Sequence, residues 1–131
     1  MDSNVFFYAK IMDKEYGKDC ARILNAIADG GLKAVTSSLT IIEIANALRK
    51  YGLGSEVKKV VDALFSLDLN VFSVDPVDVR IAAEIFEEIG ISPYDCTHVA
   101  IMKKAKTNKI ISADKEFNKI PWIKRLDPKD F

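Results

Sequence analysis

Four short apolar runs, "KAVTS" (residues 33–37), "NVFSV" (70–74), "KIISA" (109–113) and "WIKRL" (122–126), are separated by longer segments in which apolar residues recur at helical spacing. That alternation constrains the fold more than any other feature. Short apolar strands joined by amphipathic helices make βαβ units, and these build a mainly parallel sheet covered by helices on both faces. "NVFFYAKI" reads as a helix from about Asn4. Between about Asp13 and Asp29 apolar positions fall at Cys20, Ile23, Leu24, Ile27 and Ala28, and Gly30-Gly31 closes that helix. "LTIIEIANALRKYG" ends near Gly52, and "EVKKVVDALFSL" sets Val57, Val60, Val61, Leu64 and Phe65 on one face. Pro76 opens a helix through Ile89 with Gly90 behind it, and Ser92 starts another through about Lys106. No linker, repeat or low-complexity stretch interrupts the pattern. The 131 residues suffice for one core, so residues 1–131 are expected to form a single domain.

Several function classes fall away early. No apolar run approaches the ~20 residues that span a bilayer, and no basic-then-apolar leader opens the chain, so a cytoplasmic protein without a membrane partner is expected. Cys20 and Cys96 lie far apart, without a C-x-x-C pair, and are expected to be free and buried. With His98 the only histidine, a closed tetrahedral zinc site is disfavoured. The formal net charge is zero, which removes a global signature for nucleic acid. Locally the balance shifts: Lys103, Lys104, Lys106, Lys109, Lys115, Lys119, Lys124, Arg125 and Lys129 stand against Asp114, Glu116, Asp127 and Asp130. This is either a solvated surface or a basic rim that holds a polyanion near an acidic centre.

Parallel α/β sheets bind ligands beyond the carboxyl ends of their strands. Asp2 and Asp114 sit at such strand-to-helix junctions. Glu43 is enclosed by Ile41, Ile42, Ile44 and Ala45, and Asp95 opens a largely apolar helix. Each has a local explanation. Asp2 and Asp114 suit helix N-caps, and Thr40-x-x-Glu43 and Ser92-x-x-Asp95 match capping boxes. The stretch "VDPVDV", with Asp75, Pro76 and Asp78, is expected to be such a helix start and nothing more. Taken together, however, the four acids have no Lys or Arg beside them except Lys115. Converging carboxylates without matching bases repel, and a divalent cation removes the repulsion. Hard oxygen ligands favour Mg²⁺ or Mn²⁺, ions that acidify a water and stabilise both oxygens of an in-line phosphoryl displacement. Ser3, Asn4 and Ser112 could hydrogen-bond the carboxylates or act only as caps. His98 shares a helix face with Asp95 and is expected to be a half-buried or surface residue rather than a metal or phosphate contact. Cys96 is expected in the core, and i, i+2 spacing points it away from His98. "FFYA" is expected to be an apolar helix face rather than a base-stacking surface, and Arg49, Lys50, Lys58 and Lys59 a solvated face rather than an RNA contact.

Four motifs in order resemble the PIN-domain family, including toxin ribonucleases of VapC type: "MDSNVFFYA" with Asp2, "SSLTIIEIANAL" with Glu43, "SPYDCTHVAIMKKA" with Asp95, and "ISADKEF" with Asp114. The resemblance covers essentially the whole chain. It implies a three-layer α/β/α fold with a central parallel sheet in the order 3-2-1-4-5. It also implies a Mg²⁺- or Mn²⁺-dependent endoribonuclease whose metal ligands are Asp2, Glu43, Asp95 and Asp114, acting on RNA. An antitoxin partner and a homodimer are implied too, with the helices of residues 39–68 as a shared face. One departure stands out. Only Met1 precedes Asp2, where the family has a full strand, so either the chain starts late or the central strand is nearly missing. The alternative function is a catalytically inactive PIN-like module that binds RNA or protein. A flavodoxin-like small-molecule binder lacks a Gly-rich phosphate loop here.

Overall fold

The four apolar runs form strands that pair in two parallel couples, in a computed structural model that describes residues 1–131. In chain order the elements are α1 (Ser3–Ile11), α2 (Gly17–Ala28), β1 (Ala34–Ser37), α3 (Ser38–Lys50), α4 (Val57–Ser66), β2 (Leu69–Phe72), α5 (Pro76–Ile89), α6 (Pro93–Lys104), β3 (Lys109–Ile111) and β4 (Lys124–Leu126). Strand β1 pairs with β2, Ala34 opposite Leu69, and β3 pairs with β4, Lys109 opposite Lys124.

Met1 and Asp2 lie between the couples and bond to both. The Met1 ammonium donates to the Val35 carbonyl at 2.8 Å, and the Thr36 hydroxyl donates to the Met1 carbonyl at 3.2 Å. On the other side the Asp2 N–H donates to the Ile111 carbonyl at 3.1 Å. A continuous five-stranded sheet is therefore not formed. The couples stand where 3-2 and 4-5 are expected, and two residues are too few to build a ladder between them.

Successive strand residues face opposite sides of a sheet, and β3 shows the consequence. Ile110 packs with Ala82 and Ile85 of α5, Val99 and Met102 of α6, and Phe117 and Ile120 beyond the strand. Ile111 packs with Val5 of α1 and Cys20, Ile23 and Ile27 of α2. Helices thus cover both faces. A third cluster, Phe6, Ile41, Ile44, Leu48 and Leu64, joins α1, α3 and α4 over Leu69 and Val71 of β2. Each fully buried side chain of this kind contributes ~1.5–3 kcal/mol. Both cysteines are free and buried, and burial pushes the Cys20 thiol up to about 12.

Helix boundaries follow their caps. Asp75 accepts from the N–H groups of Val77 and Asp78, and Asp78 accepts from that of Asp75, a reciprocal box closed at the other end by Gly90 with φ 74°. The Lys104 ammonium bridges Asp75 and Asp78, so "VDPVDV" is a helix start, as expected. Helix α3 departs from expectation. Its cap is Ser37, whose hydroxyl accepts from the Thr40 N–H at 3.2 Å. Thr40 and Glu43 do not form a capping box, and the Glu43 carboxylate is left for other partners.

Helix α2 also starts later than its apolar spacing suggests. Met12 takes a left-handed conformation (φ 50°), and Asp13 Oδ1 accepts from the Glu15 and Tyr16 N–H groups, both at 2.9 Å. Gly17 then passes so close to α1 that a Cβ there would lie 2.6 Å from the Met12 carbonyl carbon. Backbone cannot yield as a flexible side chain does, so Gly17→Ala is expected to cost ~1–3 kcal/mol. A thermal melt should read this as a loss of several degrees; an unchanged melt would mean that the turn is looser than described.

Candidate active site

One hydrogen-bond network ties the start of α1 to the end of β3. Asp2 caps α1: its Oδ1 accepts from the Ser3 N–H at 2.6 Å, and its Oδ2 accepts from the Asn4 side-chain amide at 2.6 Å and from the Ser112 hydroxyl. The Asn4 amide also donates to Ser112 Oγ at 3.0 Å, and Asn4 Oδ1 accepts from the Ala113 N–H at 3.3 Å. Ser112 Oγ accepts in turn from the Asp114 N–H at 2.9 Å. Asp114 Oδ1 caps the following turn through the Glu116 N–H at 2.8 Å. Both aspartates are therefore caps and site-lining residues at once: the Asp114 cap uses Oδ1 alone, whereas in Asp2 Oδ1 caps the helix and Oδ2 is held by Asn4 and Ser112. Ser3, Asn4 and Ser112 all touch Asp2, and Ser112 is completely buried.

Glu43 is held from a different direction. His98 Nε2 lies 2.8 Å from Glu43 Oε2, and the imidazole is only 6% exposed. Burial alone would lower the His98 pKa. The hydrogen bond to Glu43, its charge, and the charges of Asp2 and Asp95 outweigh burial and raise it. A carboxylate can only accept, so the Nε2–H donates to Glu43 and His98 orients it. Ligand atoms of Asp2, Glu43 and His98 all lie within 4.8 Å of one another. Sequence spacing puts His98 on the Asp95 face but does not reveal Glu43, 55 residues away, as its partner. His98→Ala is expected to weaken Mn²⁺ binding ~10–100-fold at retained fold, the usual effect of losing a partner that orients a ligand. His98→Gln, which keeps a donor, should recover part of the loss. Wild-type affinity in His98→Ala, read by Mn²⁺ titration, would show that Glu43 is held without it.

Asp2, Glu43, Asp95 and Asp114 line one cavity of about 380 Å³, together with Ser3, Asn4, Ala113, Tyr8 and Tyr16. No Lys or Arg lines it. Asp95 is in the first turn of α6, capped by Ser92, whose hydroxyl accepts from the Asp95 N–H at 3.2 Å. Burial raises the Asp95 carboxyl to about 6, against the opposing influence of Ser92 and His98, and the charges of Asp2 and Asp114 add to the rise. The donor set fits a hard divalent cation: carboxylate oxygens on several sides, no soft sulfur, and mutual repulsion that such a cation relieves.

An α/β fold with acids gathered beyond its strands defines a broad class, and comparison with known proteins narrows it. The PIN domain model matches residues 1–123, and the chain belongs to the PIN-domain family. It is similar to a VapC ribonuclease of Mycobacterium bovis and to ribonuclease VapC13 of Mycobacterium tuberculosis. Each is 25% identical over 127 residues, covering 96% of this chain and 97% of the relative. Among solved structures, a chain of a toxin–antitoxin complex from Klebsiella pneumoniae shares the fold. Its TM-score is 0.67 at 15% identity, covering 97% of this chain and 94% of that one.

Proposed function

We propose that the protein is a divalent-metal-dependent endoribonuclease whose centre is the cavity lined by Asp2, Glu43, Asp95 and Asp114. The observation that carries this reading is the gathering of four carboxylates on one cavity without a lysine or arginine. Mg²⁺ or Mn²⁺ bound there would acidify water and neutralise charge at a phosphodiester. The chain supplies the rest. Ser3, Asn4 and Ser112 fix the Asp2 carboxylate, His98 fixes Glu43, and the start of α6 presents Asp95 to the same space. Preorganised in this way, the acids need little rearrangement when substrate arrives.

RNA as substrate is supported by the names of the two mycobacterial relatives, both ribonucleases. The same kinship supports a protein antitoxin as partner. An apolar groove of about 390 Å³ between α1, α2 and α4, lined by Phe6, Leu24, Val60 and Leu64, offers surface for one. Ile42, Tyr51 and Phe65 are exposed in the 39–68 segment, where a homodimer contact is proposed. No helix is long and apolar enough to cross a membrane, and a cytoplasmic location is proposed. The deciding experiment incubates the protein with RNA in Mn²⁺ and in EDTA. Cleavage in Mn²⁺ alone supports the reading, whereas RNA binding that survives EDTA without cleavage identifies a binding module instead.

A further inference from the structure

We infer that the gap between β1 and β3 is a peptide-binding slot, which takes an extended apolar segment of another protein that ends in a free C-terminal carboxylate. The two strands belong to separate couples, and only Met1 and Asp2 stand between their facing edges. Because those two residues bond to both sides, the gap is one strand wide, ~4.8 Å to each neighbour. Next to Met1 it opens into a cavity of about 230 Å³, lined on one side by Lys33, Ala34 and Val35 and on the other by Lys109, Ile111 and Leu126.

The backbone at this gap is what a sheet offers an incoming strand. Val35 and Ile111 turn their carbonyls to Met1 and Asp2. A strand residue turns its N–H to the same side as its C=O, and residues two apart face the same neighbour. The N–H groups of Val35 and Ile111, and the C=O groups of Lys33 and Lys109, therefore face the gap. An added strand satisfies such groups, which is how sheet edges capture extended peptides. Both faces of the gap are apolar. Ala34, Ile111 and Leu126 pack with the α2 cluster on one side, and Val35, Met102 and Ile110 line a small cavity with Met1 on the other. A strand covered on both faces is apolar at successive positions rather than at alternate ones.

Met1 closes the slot at one end, so the occupant must end there, and the chemistry of that end selects its polarity. The terminal amine of Met1 and the Ile111 N–H are donors, Lys33 and Lys109 line the cavity, and no Asp or Glu does. A carboxylate meets donors there, whereas an amino terminus would meet another amine. In the register that continues Met1, the last carboxylate accepts from Ile111 and Met1, and the last N–H donates to the Lys109 carbonyl. The four acids line a different cavity, beyond the carboxyl ends of the strands. A peptide in the slot leaves that cavity uncovered, and its binding does not depend on the proposed ribonuclease chemistry.

The test follows, by fluorescence anisotropy, the peptide Lys-Thr-Val-Ile-Val-Ile, labelled with fluorescein at its amino end and carrying a free carboxylate. Saturable binding with a Kd below ~1 mM is expected. Amidating the carboxylate should weaken it ~10–150-fold, the effect of losing a charged acceptor, and methylating the last backbone nitrogen ~2–10-fold, the effect of losing a neutral hydrogen bond. Both changes are made in the peptide, so misfolding of the protein cannot mimic the loss. A chain with the same residues joined directly ahead of Met1 fills the slot itself. It should melt several degrees higher than wild type and no longer bind the peptide. No saturable binding of the free acid, equal binding of the amide, or undiminished binding by the joined chain would each overturn the inference. A joined chain that is stabilised while wild type ignores the free peptide overturns it too, and assigns the slot to residues of the same chain.

Discussion

Asp95→Asn is expected to lower RNA cleavage by at least ~10²–10³-fold, the scale of removing one preorganised electrostatic group, while making the cation-free protein more stable to heat. The two effects share a cause. Burial, with the charges of Asp2 and Asp114, raises the Asp95 carboxyl from 3.8 to about 6. The folded chain therefore holds this proton more tightly than the unfolded chain does. By linkage, stability is lost as the pH rises from 3.8 to about 6, and the loss is complete above that range. At neutral pH the Asp95 charge is a standing cost, which asparagine removes in the same shape. Asp95 is partly exposed, so solvent screening reduces the gain to ~1 kcal/mol, a rise of a few degrees in Tm. Thermal melts in EDTA at pH 7.5, alongside cleavage assays, check both halves. An active variant, or a melt below wild type, would remove Asp95 from the centre. The pattern is that of a functional site kept at the expense of stability.

The parts of this fold that were legible in the sequence are those set by local chemistry. Helix α5 begins at Pro76 and ends at Ile89, as expected, because Asp75, Pro76 and Gly90 are each strong boundary signals and agree with one another. The alternation of strands and helices likewise led to parallel pairs with helices on both faces. Boundaries were lost where a side chain competed with periodicity. Helix α2 starts at Gly17 because the Asp13 side chain takes up the N–H groups of Glu15 and Tyr16, and Thr40 yields its capping role to Ser37.

Within the candidate site, strand-to-helix junctions pointed to Asp2 and Asp114 and apolar surroundings to Glu43 and Asp95, and one cavity is lined by all four. Two features needed tertiary structure. His98 could be assigned to the Asp95 face, but its burial and its bond to Glu43 depend on α3 and α6 meeting across the fold. Tyr8 was visible within an apolar helix segment, but its stacking on Tyr16 depends on a turn whose shape rests on Met12, Asp13 and Gly17. Cap and cavity readings of Asp2 and Asp114 were posed as alternatives, and both residues cap a helical turn while lining the cavity.

Removing the cation is expected to abolish cleavage without unfolding the chain, and restoring Mn²⁺ should return activity. The core is apolar side chains packed on both faces of the strands, and it persists without metal. Binding should nevertheless stabilise the fold, by ~2.7 kcal/mol when Mn²⁺ is present at one hundred times its Kd, a rise of roughly ten degrees in Tm. Proton competition adds a second signature. Above pH 6 Asp95 is ionised and ready to ligate, but below about 6 it carries a proton that the cation must displace. Mn²⁺ affinity should therefore weaken towards tenfold per pH unit below about 6, as one displaced proton requires. Calorimetric titrations at pH 5, 6 and 7.5 separate this from adventitious surface binding, because exposed carboxylates titrate near 4 and would hold affinity constant across the same range. A flat profile, or cleavage that persists in EDTA, would remove the cation from the mechanism.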